Sequence, residues 1–418
     1  MPQKKFWFTM SGILAALAMV LMLPVGAVAA SPTKVLYKFK GGNDGGHPYA
    51  GLVFDAAGNL YGTTSEGGGT CHDGLPCGTV FKLAPNSNGS WTETVVYRFV
   101  GGGKGEESSA GLIFDTAGNL YGTTTSGGGS SACNFGCGTV FRLTPNSGGG
   151  WTESVLYGFC HLPKCADGDG SAAALIFDGS GNLYGTTVDG GASGSGTVFR
   201  LTANSDGSWT ETVLHSFSGP DGGTPYAGLI FYAAGNLYGT ITQGGAGGVG
   251  IVFKLTPNSN GSWTEHVLHA FKGGKDGAGP TASLTFDAAG NLYGTTYSGG
   301  AHRNGVVFKL DASHRFSVIH AFTNQQGANP YAGLTFDASG DLCGTTVNGG
   351  SANDGVVFKL APRQGGGWTY GVLHVLQGTP GLNPYGTLVL DQAGNLYGTT
   401  LNCANGEKCR GVAFEVTP

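Results

Sequence analysis

The chain has 418 residues, of which 80 are glycine and only 11% are charged, with a formal net charge of −5. So much glycine without a G-X-Y period, beside 40% hydrophobic residues, excludes collagen and disorder and points to tight turns between short strands. Mild acidity and the lack of Lys/Arg runs beyond residue 5 remove the electrostatic footprint of a nucleic-acid binder, so no nucleic-acid partner is expected.

The first thirty residues differ from the rest. Lys4 and Lys5 precede the apolar run GILAALAMVLML, then Pro24 and the small-residue stretch AVAA at 27–30. A basic start, an apolar centre and a small-x-small site read as a signal peptide over 1–30, cut after Ala29 or Ala30. Residues 31–418 then form a single domain, secreted to an extracellular or periplasmic location, with no transmembrane segment after cleavage. An uncleaved anchor is the alternative, because Phe6 to Leu23 approaches the ~18–20 apolar residues that a span requires.

Beyond residue 34 the text repeats. The octet AGNLYGTT stands at 57–64, 117–124, 289–296 and 393–400, and its glycine recurs at Gly58, Gly118, Gly181, Gly235, Gly290, Gly340 and Gly394. Subtraction gives spacings of 60, 63, 54, 55, 50 and 54 residues. In the first unit the strand-like runs are GLVFD (51–55), NLYGTT (59–64), GTVFKL (78–83) and TETVVYRF (92–99), here called a, b, c and d. Four short strands at this period predict an all-β, seven-bladed β-propeller, with strand a along the axis and d outside. The chain opens with a lone d strand, VLYKF at 35–39, and ends in a c strand, GVAFEV at 411–416. A closed ring pairs these two segments within one blade, where an open solenoid would leave both incomplete.

Between a and b, Asp55 is placed to cap the turn with its own side chain and Gly58 to take positive φ. Leu60 and Tyr61 are expected between blades, and Gly62 is expected to admit a neighbouring backbone. Asp115, Asp178, Asp287, Asp337 and Asp391 occupy the same corner, with Tyr232 in the fourth unit. Six acids at one level could ring a cation; their fixed offset from each glycine favours turn caps.

Eight of the nine cysteines fall into close pairs, Cys71 with Cys77, Cys133 with Cys137, Cys160 with Cys165, and Cys403 with Cys409, each inside a glycine-rich loop. Exported protein of this kind is expected to join them as disulfides. Two cysteines per loop make only half of a tetrahedral zinc site, so no metal and no cofactor are expected. Cys343 stands at a tyrosine position of the repeat and is expected to be a buried, inert thiol.

His215, His269, His320 and His374 occupy the strand-d position of Tyr37, Tyr97 and Tyr157. What tyrosine and histidine share is a ring and one polar tip, so the demand is packing plus a hydrogen bond, and no catalytic residue is nominated. Trp91, Trp151, Trp209, Trp263 and Trp368 open strand d and are expected to seal edges between blades. The propeller path puts the d-a and b-c loops on one face, where length and content vary and all four cysteine pairs lie. The candidate ligand-binding residues sit there: Tyr49, Tyr226, Tyr331 and Tyr385 in Pro-Tyr pairs, with Asp44, His47, Asn329 and Asn383 as polar neighbours.

The pattern AGLIFD, AGNLYGTT, GG, GTVF(K/R)L and WTE resembles the GloVer tandem repeats of secreted bacterial proteins that carry various cell-surface anchors. The D-x-x-G-N corner is also distantly similar to NHL and gluconolactonase-type propellers. The GloVer resemblance implies a secreted or cell-surface propeller and supplies no activity or catalytic residues. The expected function is therefore a secreted binding or scaffold propeller, with polysaccharide or a cell-envelope protein as partner. A lactonase- or lyase-like enzyme is the first alternative, and would need a metal or an acid-base pair on the inner strands. A purely structural envelope protein is the second.

Overall fold

The computed structural model describes residues 31–418, apart from 72, 73, 75, 379 and 404–407. The leader expected at 1–30 lies outside the described residues. The described residues form seven four-stranded antiparallel sheets with spatial order a-b-c-d, and in six of them that is also the order in sequence. It is a seven-bladed β-propeller. The first blade comprises Val53–Phe54, Leu60–Thr64, Thr79–Pro85 and Trp91–Arg98. Strand a is shorter than its sequence suggests: only two of its residues pair with strand b in every blade but the fourth, which pairs three.

The seventh blade takes Val389–Leu390, Leu396–Thr400 and Val412–Val416 from the end of the chain and Thr33–Lys38 from its start. Thr33 lies opposite Val416 and Lys38 opposite Val412, with a register shift between Val35 and Tyr37. The same shift falls between Val80 and Phe81 where strands c and d of the first blade pair. A bulge there adds twist to the outer strand, as a propeller blade requires. The expected closure is thus present.

The repeat's letters become seams between blades. Phe54 of the first blade meets Tyr397 of the seventh edge-on, with ring centroids 5.2 Å apart, and Trp91 reaches the same Tyr397 at 6.1 Å. One blade later, Phe114 and Trp151 close on Tyr61 in the same way. Trp263 does so on Tyr184 and Trp368 on Tyr293, so these tryptophans seal edges as expected. Phe39, Phe81, Phe99 and Phe141 are wholly buried. Each such side chain contributes about 1.5–3 kcal/mol by leaving water.

At the a-b corner, one carboxylate oxygen of Asp55 accepts from the amides of Ala57 and Asn59 at 2.9 Å, and the other accepts from Asn59 Nδ2 at 2.7 Å. Asp115, Asp178, Asp287 and Asp391 repeat this set. Hydrogen bonds to the ionised form hold all five carboxyls below the ordinary range against the opposing pull of burial. These acids are turn caps, with their oxygens already engaged. In the fourth blade Tyr232 instead stacks on Phe286 at 4.1 Å, and Ala234 takes φ 57° in the altered turn.

Gly62 differs from expectation. A Cβ there would fall 2.6 Å from Phe81 Cζ and 2.9 Å from Leu52 Cδ2. The close neighbour is the ring of strand c in its own blade, not a backbone, because the blade buries one phenylalanine against the floor of strand b.

Candidate functional site: the axial mouth

The face that carries the variable loops is rigid at its root. In all seven blades the d-a loop forms an isolated bridge to the segment after strand b, from Gly46 with Glu66 round to Leu382 with Asn402. The residue two positions before the mouth residue is left-handed every time: His47, Glu107, Gly170, Thr224, Gly279, Asn329 and Asn383 have φ between 53° and 65°. Only two of the seven are glycine. Such backbone is unfavourable for other residues and persists where surroundings impose it. What imposes it is a hydrogen bond from each of those amides to a carbonyl of the preceding blade's b-c loop, for example Glu107 to Cys77 at 2.9 Å and Asn383 to Asp354 at 2.9 Å.

Two residues further on, the chain enters the axis. Tyr49, Ser109, Ala172, Tyr226, Thr281, Tyr331 and Tyr385 hold equivalent positions, and all line a cavity of about 580 Å³ on the axis. That size lies within the ~300–1,000 Å³ of small-molecule sites. Tyr385 is the centre of an aromatic wall, with Tyr49 at 5.0 Å and Tyr331 at 4.9 Å between centroids. Tyr226 lines the same cavity and is 40% exposed. Ser109 and Ala172, small side chains on adjacent blades, leave the stretch of rim between Tyr49 and Tyr226 low. Burial, reinforced by the neighbouring tyrosines, pushes the Tyr331 phenol up to about 12, so it stays a neutral donor and acceptor. Glu107 is the single charged residue among the described lining residues, none of which is cationic.

The fold therefore gathers the four expected tyrosines and sets the expected polar neighbours apart. Asn329 donates to Tyr297 O at 3.0 Å and accepts from Asn348 at 3.1 Å. Asn383 is held likewise by Val347 O and Asn402. His47 Nδ1 lies 3.0 Å from Glu66 Oε1. These side chains brace the loops behind the mouth. Asp44 does not line the cavity: it accepts from the Tyr37 hydroxyl and from the Lys40 amide, closing the outer part of its loop. Tyr297 is an aromatic the repeat pattern did not flag. It follows strand b of the fifth blade, is 37% exposed, and extends the wall by meeting Tyr331 at 6.4 Å.

All four cysteine pairs are joined as disulfides in the loops of this face. Cys343 is buried and free, its thiol pushed up to about 12, chiefly by burial. The strand-d rings find the polar partner expected of them in several blades: Tyr37 with Asp44, Tyr157 with Asp167 at 2.8 Å and His215 with Asp221 at 3.1 Å. His320 departs from this pattern: it stacks on Tyr370 at 4.1 Å and its Nε2 is buried without a partner.

The pattern of the Gloeobacter/Verrucomicrobia repeat matches residues 26–162, 129–337 and 312–418. A propeller built from tandem repeats with these corners and seams belongs to that family, and this chain is a member of it. No curated protein matches the sequence. Among solved structures, a putative 6-phosphogluconolactonase from Bacteroides uniformis aligns at TM-score 0.52 and 16% identity, over 84% of this chain and 89% of that one. An ancestral GH74 enzyme aligns at TM-score 0.54 and 10% identity, over 90% of this chain and 51% of the other. A gluconolactonase from Xanthomonas campestris aligns at TM-score 0.44 and 15% identity, over 77% and 87%. Likeness at these identities concerns the propeller fold.

Proposed function

We propose that this propeller is an exported binding protein whose axial mouth takes a neutral saccharide, presented by a polysaccharide or the cell envelope. The observation that carries the reading is the contiguous wall of Tyr49, Tyr385 and Tyr331 at the rim of a cavity whose described lining carries Glu107 as its one charged side chain. Aromatic faces cover the apolar side of a sugar ring, while phenol hydroxyls and loop carbonyls exchange hydrogen bonds with its hydroxyls. An anionic ligand would find Glu107 and no compensating positive charge.

The low side at Ser109 and Ala172 leaves room for a chain to run out of the mouth, which suits an end or a branch of a polymer. The a-b acids, spent on their own turns, offer neither a metal ring nor a free base on the axis, and this favours binding over lactonase-like chemistry. The test is a retention screen of the purified chain across neutral and acidic polysaccharides, followed by the Tyr49→Ala/Tyr385→Ala double variant. Retention on a neutral glycan that falls at least tenfold, with unchanged unfolding behaviour, is expected; that corresponds to about 1.4 kcal/mol. Retention only on acidic polymers, or equal retention by the variant, would remove the proposed site.

A further inference from the structure

Two half-sites for a tetrahedral metal, separate in the sequence, meet in the fold. Cys133 and Cys137 belong to the b-c loop of the second blade, and Cys160 and Cys165 to the loop that leads from its strand d to the third blade. The four sulfur atoms lie within 4.8 Å of one another, the one such group among the described residues. Cys137 is wholly buried and Cys160 nearly so, packed with Val140 and Phe159. The second half-site is also conformationally marked, because Cys160, Lys164 and Cys165 are all left-handed, at φ 62°, 60° and 52°. Three such non-glycine residues in six are unfavourable unless the surroundings fix them, and they concentrate at functional sites.

We propose that Cys133, Cys137, Cys160 and Cys165 form a redox-gated site for a soft tetrahedral divalent cation, best matched by Zn²⁺. In oxidising surroundings the four sulfurs are two disulfides. A dithiol reductant gives each disulfide two electrons and two hydrogens and closes into its own disulfide, leaving four thiols. The cation then takes the four sulfurs as thiolates and releases up to four protons to solvent. Zinc-sulfur bonds of ~2.3 Å set sulfur atoms about 3.8 Å apart in a tetrahedron, so side-chain rotation within the present cluster suffices. Lys164 places a compensating positive charge in the same loop. Asp169 Oδ2, 3.1 Å from Cys133 Sγ, accepts from the reduced thiol and turns away when the metal binds. Among the described residues, no second cysteine pair joins Cys71–Cys77 or Cys403–Cys409 in such a group, and these two remain simple staples.

The test reduces the purified chain with dithiothreitol, desalts it under argon and titrates it with Co²⁺, following absorption and far-UV circular dichroism. One Co²⁺ per chain is expected, with the intense visible bands of tetrahedral cobalt and sulfur-to-metal charge transfer, displaced by Zn²⁺. Cys133→Ser and Cys165→Ser should each abolish stoichiometric binding, while the Cys71→Ser/Cys77→Ser pair should leave it unchanged. The weak spectrum of octahedral cobalt, binding that survives Cys133→Ser, or binding lost with Cys71→Ser/Cys77→Ser would overturn the proposal. So would a reduced chain that is unfolded and stays unfolded when Zn²⁺ is added.

Discussion

The hydroxyl of Thr399 donates a 3.0 Å hydrogen bond to the carbonyl of Ala50, joining the seventh blade to the first across 349 residues of sequence. The same bond runs from Thr63 to Ala110, Thr123 to Ala173, Thr186 to Ala227, Thr240 to Ala282 and Thr295 to Ala332. At the sixth seam, where Gly386 stands in place of alanine, the Thr345 hydroxyl is buried without a partner. The first threonine of GTT is thus an inter-blade clasp that one seam lacks.

Thr399→Val leaves the Ala50 carbonyl buried and unpaired, which costs about 1–3 kcal/mol. Thr345→Val removes a hydroxyl that pairs with nothing and should be neutral or stabilising. Urea unfolding of the two variants checks the contrast; equal losses would show that the clasp contributes nothing beyond packing.

Gly62→Ala drives a methyl to 2.6 Å from the buried Phe81 ring, and overpacking of this kind costs about 1–3 kcal/mol. Gly58→Ala meets open space and suffers only from its φ of 80°, a penalty of about 1 kcal/mol. Thermal unfolding should therefore rank Gly62→Ala below Gly58→Ala, although both glycines recur in all seven repeats.

Burial pushes the Glu211 carboxyl up to about 7, with the charge of Asp167 adding to it. Its folded-state value exceeds the ordinary value of 4.5, so the native state holds the proton more tightly, and the stability this gives is complete below 4.5 and lost as pH rises through 7. Glu211→Gln should flatten that decline and raise the melting temperature at pH 8. A variant with an unaltered profile between pH 4.5 and 8 would contradict the assignment.

His320 has the opposite sign. Burial lowers it from 6.5 to about 4, so protonation favours the unfolded chain, and its penalty sets in as pH falls from 6.5 towards 4. His320→Tyr, the residue of the first three strand-d positions, should remove that part of the acid sensitivity, measured as melting temperature against pH.

The ring, its closing strand and the aspartate corners were legible because they are local demands repeated seven times. Asp55 reaches amides two and four residues away, a relation that adjacent letters encode. The partners of Asn329 and Asn383 were not legible, since their amides and side chains bond to neighbouring loops whose approach depends on the ring. The partners of Asp44 were hidden for a related reason: proximity in sequence to the Pro-Tyr pair does not show that its carboxylate accepts from Tyr37 and the Lys40 amide. Tyr297 follows a strand b whose other six copies end in smaller residues, so the repeat average hid it. The meeting of Cys133 with Cys160 needed the blade geometry, although each half of the cluster was visible alone.

The pairing of Thr33 with Val416 sets a condition on how the molecule comes to exist. Synthesis runs from the amino end, so the outermost strand of the seventh blade is made almost a whole chain before the neighbour it must lie against. Until that neighbour emerges, the nascent propeller carries an open sheet edge at each side of its gap, the condition that invites pairing with other chains. Products cut short before Val412–Val416 would keep that gap for good and should be the aggregating species in any preparation, because that strand is what covers the exposed edge.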